Sequence, residues 1–237
     1  MSTIDHRHRV AAERRERMRA RLLASAMKLI ATKGMGETSI DDVISTAEVS
    51  RGTFYKYYPS PEALFHDLAV EIANELISMA EPFVLSLEDP AERVACGFRI
   101  VAKLAIHHPL AAGFIVRLGW PDLRGPTLLL DFVRRDLADG IRQKRFISMP
   151  VDVAVNIVAG TVLGAAHGML KPGCPRNFAE HSAAAILRAL GVDAASAHRI
   201  ANKPLKLGEL KFEGVLARTL ERDANESDAH ALATQQH

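Results

Sequence analysis

Residues 38–61, TSIDDVISTAEVSRGTFYKYYPSP, leave few folds open. Ser39 and Asp42 have the S-x-x-D spacing of a capping box, which satisfies free amide donors at a helix start. Ile40, Val43, Ile44 and Ala47 then form a short apolar stripe at helical spacing. Ser50 is a second N-cap signal, only a few residues past Ala47, and the Pro-Ser-Pro at 59–61 closes whatever Ser50 opens. Residues 39–58 therefore predict helix, tight turn, helix.

The flanking sequence extends that pattern. Residues 1–12 are polar and rich in His and Arg, and read as a flexible basic arm. A helix is expected from about Glu13, with Met18, Leu22, Ala26, Leu29 and Ile30 on one face, until Gly34 and Gly36 break the pattern. Ser60 and Pro61 start another helix, running to about Ala80, with Leu64, Leu68, Ile72, Leu76 and Met79 as its apolar face. Further helices are expected at 89–107, 109–118, 126–143, 151–170 and 177–190. Strand signals are weak throughout, so the predicted fold is all-α. The tail after Leu190 reads as polar, with an amphipathic stretch at 205–220 and a last dozen residues without structure. The expected division is an arm at 1–12, a helix-turn-helix unit at 13–60, a helical domain at 61–190 and a tail at 191–237.

Charge says which end meets an anion. Residues 1–60 hold 11 Lys/Arg and 7 Asp/Glu, 11 − 7 = +4, while the whole 237-residue chain carries only +2. Positive charge thus gathers at the N-terminal end, as a local anion-binding surface requires. The two cysteines, Cys96 and Cys174, are expected to be reduced thiols. The N-terminus has no apolar signal-type segment, and the most apolar stretch, 151–170, holds Asp152, Asn156 and His167. A buried soluble helix is the expected reading of that stretch, with no membrane partner and a cytoplasmic location.

All three tyrosines of the chain lie at 55, 57 and 58, beside Phe54, Arg51 and Lys56. On the second helix, Val49, Phe54 and Tyr58 can hold one face against the preceding helices. The other face then displays Arg51, Gly52, Thr53, Tyr55 and Lys56, with Tyr57 at its edge. Gly52 lets backbone come close. Arg51 has the fork that fits guanine O6 and N7, and Thr53 and Tyr55 offer hydroxyls or apolar surface to base edges. Lys56, the Tyr57 hydroxyl, Ser39 and Ser50 suit phosphate oxygens. Arg51, Gly52, Thr53 and Tyr55 are thus the candidate base readers of double-stranded DNA, and Ser39, Ser50, Lys56 and Tyr57 the candidate phosphate ligands.

The run TSIDDVISTAEVSRGTFYKYYPSPEALF, preceded by ATKGMGE, resembles the N-terminal domain of the TetR family of bacterial transcriptional repressors. The resemblance covers residues 13–65. It implies a homodimer in which a three-helix DNA-binding domain sits on a larger helical domain that binds a small inducer. It also implies that the last two long helices, 151–170 and 177–190, build the dimer interface. Three positions depart from the family pattern. Glu48 stands in the tight turn where glycine is usual, Pro61 where a phosphate-binding lysine is common, and Met35 where an aromatic is common.

Several features keep two readings. Arg7, Arg9, Arg14 and Arg15 can send an arm along DNA or belong to a solvated helix face paired with Glu13 and Glu16. Gly160, Gly164 and Gly168 recur every four residues, which suits close helix approach across the dimer or within one subunit. The candidate effector residues are Phe114, Arg117, Trp120, Asn156 and His167. Arg117 can face an anionic, apolar ligand or an acidic neighbour, and Asn156 and His167 in an apolar helix are expected to need partners. A mostly apolar small molecule is the expected effector. Nucleophile-elbow, phosphate-loop, H-E-x-x-H and Cys/His metal spacings are absent from the sequence, so neither an enzyme nor a cofactor or metal is expected. The predicted function is a ligand-released repressor on a palindromic operator; the alternative is a helical ligand-binding protein that does not bind DNA.

Overall fold

A computed structural model describes residues 3–107, 112, 113, 116, 128–205, 214 and 215. The described residues form helices and connecting turns, with no strand among them. The helices are α1 (Thr3–Lys33), α2 (Ile40–Thr46), α3 (Arg51–Tyr55), α4 (Pro61–Leu85), α5 (Pro90–His107), α6 (Leu128–Arg142), α7 (Val151–Met169), α8 (Phe178–Ala189) and α9 (Ala194–Ala201). The helix expected at 109–118 lies largely outside the described residues, as does the amphipathic stretch expected at 205–220.

Local chemistry sets the first four boundaries. Gly34 ends α1 at φ 89°, a left-handed conformation that glycine adopts without steric cost. The Ser39 hydroxyl accepts from Asp42 N, and the Asp42 carboxylate accepts from Ser39 N, so the capping box is complete. Ser50 caps α3 by accepting from Thr53 N, and Ser60 caps α4 by accepting from Ala63 N with Pro61 in the first turn. Two lengths differ from expectation. α1 begins at Thr3, so residues 3–12 are helical and not a flexible arm. They contain no Gly or Pro to stop propagation, and Arg9 pairs with Glu13 one turn on at 3.7 Å. α4 passes through Pro82 to Leu85, beyond the expected end at Ala80.

Two cores divide the helices. The first gathers Leu22, Met27 and Ile30 of α1, Val43 of α2, Phe54 of α3, and Leu64, Leu68 and Ile72 of α4. It also takes Cys96, Ile100 and Leu104 from α5. The second joins the other face of α5, through Ala91, Phe98 and Ala102, to Leu137 of α6, Ala154 and Val158 of α7, Ile186 and Leu187 of α8 and Ile200 of α9. α5 is thus shared, and α4 belongs by packing to the helix-turn-helix unit, so the expected boundary at residue 60 does not separate two packed bodies. Burial of Asp136 on α6 pushes its carboxyl pKa up, and Arg135 and Arg93 oppose the shift. The same Arg135 reaches Glu81 of α4 at 2.7 Å, which ties α4, α5 and α6 together.

The start of the tail is folded into a helix that was not among those expected. Gly191 turns the chain at φ 91°, Asp193 caps α9 by accepting from Ser196 N, and Ala197, Ile200 and Ala201 are buried against α8 and α5. The signal was present as a D-x-x-S start followed by apolar residues at i, i+3 and i+4. Arg99 of α5 fixes the far end by donating to the Lys203 carbonyl at 2.6 Å.

Candidate nucleic-acid interface

The turn between α2 and α3 decides how the second helix is presented. Val49 N donates to Ile44 O at 2.9 Å and Glu48 N to Ser45 O at 3.0 Å. That pair of bonds is a Schellman termination, whose central residue must be left-handed. Glu48 holds that place at φ 49°. A non-glycine residue costs about 1 kcal/mol there. Its carboxylate accepts from Arg21 of α1 at 2.7 Å, so the residue that departs from the family's glycine ties the turn to the first helix.

α3 is short. Lys56 is its C-cap, and Tyr57 N and Tyr58 N both fold back to Phe54 O. Phe54 is fully buried and Tyr58 nearly so, as expected for the two anchors. The Tyr58 hydroxyl donates to Asp67 of α4 at 2.6 Å, and Arg19 of α1 donates to Asp67 at 2.8 Å and to Glu71 at 2.7 Å. Burial, and then the bond to Asp67, push the Tyr58 phenol well above its usual range; the Asp67 bond leads in raising the Arg19 pKa. The end of α3 is therefore fastened to both α1 and α4 by one carboxylate.

Of the candidate base readers, Arg51 and Gly52 are exposed, Thr53 is half-buried and Tyr55 is 51% exposed with its ring edge-on to Phe54 at 5.5 Å. A Cβ built on Gly52 would meet only the Ser50 hydroxyl, at 3.9 Å, which is ordinary contact. The protein's own packing therefore does not require glycine at this place. Arg51 Nη2 donates to the Asp41 carboxylate of α2. Among the candidate phosphate ligands, Lys56 is exposed, while Tyr57 is half-buried against the first core. The two serines are already engaged. Ser39 Oγ donates to Asp42 Oδ2 at 2.6 Å, and Ser50 Oγ lies 2.8 Å from Thr53 Oγ1. Lys33 and then Ser39 hold the Asp42 carboxyl well below the usual carboxylate range. Asp41 and Arg21 went unremarked in the sequence.

The glycine stripe on α7 divides. A Cβ on Gly168 would come within 2.8 Å of the Phe178 ring of α8, so Gly168 makes a close approach inside the subunit. Gly164 is exposed, with no atom near its Cβ position. The cause is geometric: each step of four residues rotates about 40° around a helix of 3.6 residues per turn, so the stripe does not stay on one face. Asn156 and His167 are exposed alongside Gly164, so water can supply the partners they were expected to need. Val153 on the same helix and Leu170 at its C-cap are exposed, and only 28% of its most apolar stretch is buried. The helix expected to be buried is therefore largely uncovered in the single chain. By length and composition it also passes for a membrane span. Phe114, Arg117 and Trp120 lie outside the described residues. Among the described residues there is no grouping of three or more His, Cys, Asp or Glu side chains able to hold a metal.

Comparison with known proteins bears on both halves. The family described as bacterial regulatory proteins, tetR family, matches residues 22–68. A second, the tetracyclin repressor-like C-terminal domain, matches residues 89–203. A crystal structure of RolR with the ligand resorcinol is 30% identical, covering 84% of this chain and 100% of that one, with a TM-score of 0.64. RolR without ligand is 31% identical over 81% of this chain and 100% of that one, with a TM-score of 0.66. The HTH-type transcriptional regulator EthR of Mycolicibacterium smegmatis is 35% identical over 94 residues, which are 39% of this chain and 43% of EthR. The match to this curated relative thus spans less than half of its length.

Proposed function

The chain belongs to the TetR family of bacterial transcriptional regulators, and we propose that two copies pair to grip a palindromic DNA operator and release it when a small molecule binds. One observation carries the DNA half of this reading. A short helix, locked to its neighbours by buried Phe54 and Tyr58, displays Arg51, Gly52, Tyr55 and Lys56 to solvent around a glycine that internal packing does not demand. Arg51, Thr53 and Tyr55 read base edges, and Gly52 lets the backbone approach them. Lys56 takes phosphate, while Ser39, Ser50 and the Tyr57 hydroxyl reach phosphate only by giving up or supplementing the contacts they hold in the free protein. The exposed arginines at 9, 14, 15 and 17 lie on a stiff helix, and a role on DNA would place that helix along the backbone rather than as a loose arm in the groove.

Pairing is supported by α7. Its apolar length combined with its poor burial leaves a face holding Val153, Asn156, Gly164, His167 and Leu170 that a second copy would cover. The glycine on that face allows close approach. A symmetric pair sets two reading helices about 34–36 Å apart and asks for a palindrome. Asn156 and His167 fall on this pairing face and leave the candidate effector set. The effector is a small, mostly apolar molecule held by the helical domain. RolR, similar over most of the chain, is known with resorcinol, so simple phenols are the first compounds to try. The relatives are named as regulators and not as enzymes, and a cytoplasmic location fits a DNA partner.

A mobility shift on DNA flanking its own gene tests the proposal. Retardation at low salt that is reversed by an effector is the expected result. A folded dimer that retards no native fragment would reject it and favour a ligand-binding protein without DNA.

A further inference from the structure

We propose that Asp41 is a positioning residue for base reading, holding the Arg51 guanidinium in the direction from which it meets its base. The inference rests on the DNA-reading role of Arg51. Arg51 is the first residue of α3, on the solvent side, with a long side chain that is otherwise free to sample many rotamers. Asp41 lies ten residues earlier in the first turn of α2, and its Oδ1 accepts from Arg51 Nη2 across the helix-turn-helix. The capping box of α2 is closed by Ser39 and Asp42, so helix capping does not account for Asp41.

The bond is made through Nη2, and a guanidinium carries five N–H donors. A two-donor grip on guanine O6 and N7 therefore remains open while the carboxylate holds the group from the side. Both partners are exposed, and an exposed pair of this kind is weak, so Asp41 cannot hide Arg51 from DNA. It can fix the plane of the fork before binding, which lowers the ordering cost on the correct base and keeps the arginine from settling on a neighbouring phosphate. Its own negative charge repels the DNA backbone, so the same residue weakens binding to any sequence. The repulsion acts on every sequence alike, so the orienting effect is the one that raises the ratio of specific to non-specific affinity.

The experiment compares full-length wild type, D41N, D41E and R51A. Each is measured at one salt concentration on a selected operator, on operators changed one base pair at a time, and on non-specific DNA. R51A first identifies the base pair that Arg51 reads, as the position where preference disappears. D41N is expected to lower preference at that same position by about tenfold while affinity for non-specific DNA rises, and D41E to restore part of the preference. Full retention of preference in D41N, or a rise in affinity that is equal on every sequence, would overturn the positioning role. If R51A keeps its preference at every position, Arg51 is not a base reader; the premise then fails and the proposal with it.

Discussion

Gly52 is where the free protein and its proposed complex make opposite demands. An alanine Cβ meets only the Ser50 hydroxyl at 3.9 Å, and glycine near a helix start gives up as much as about 1 kcal/mol against alanine. Gly52→Ala is therefore expected to keep or slightly raise the melting temperature while lowering operator affinity by about tenfold or more. Loss of both together would place the glycine in the fold and not at the DNA. Asp42 gives a pH signature. Its carboxyl is held low by Lys33 and Ser39, so its contribution is fully present above the unfolded value of about 4 and is lost as pH falls through the lower folded value. Asp42→Asn is expected to flatten the fall in stability below about pH 4, measured by urea unfolding at stepped pH. An unchanged slope would remove Asp42 from the acid response. At this scale the caps and the anchors Phe54 and Tyr58 were legible, because each follows from a local pattern. Tyr57 was less so: the helix stops at Tyr55, and the following turn lays Tyr57 against the core.

Between elements, legibility depended on whether the deciding contact was near in sequence. The short α2 and α3 and their turn were readable because their hydrogen bonds close within six residues. The glycine at 168 was not, since its neighbour is a phenylalanine on the next helix. The two glycines now make a matched test. Gly168→Leu drives a side chain into Phe178 and is expected to cost about 1–3 kcal/mol of subunit stability. Gly164→Leu meets open space in one subunit, so it is expected to spare the fold and shift sedimentation from dimer to monomer. A Gly164→Leu protein that remains dimeric would move the interface away from α7. The length of α1 and the existence of α9 went unread for a different reason. The first turns of α1 are charged and polar and look like an arm, while α9 spans only eight residues, so its cap and its apolar positions were passed over inside a polar tail. α9 packs on α8 and α5, with Lys203 bound to Arg99.

For the whole molecule, α5 shares its two faces between the core of the helix-turn-helix unit and the core of the helical domain. A change at the second core therefore has a packed route to α1–α4, and Asp67 extends it to the end of α3 through Tyr58. The all-helical class and the N-terminal placement of the reading unit were legible throughout. The effector residues expected at Phe114, Arg117 and Trp120 lie outside the described residues. Selection of bound fragments from a random DNA pool, run in parallel with the wild-type chain and R51A, tests whether a dimer reads a palindrome through Arg51. The expected result is a palindrome with half-site centres about one helical turn, 10–10.5 base pairs, apart or slightly more, and loss of preference at one symmetric pair of positions in R51A. Enrichment of no common sequence by a folded, dimeric wild-type protein would contradict it.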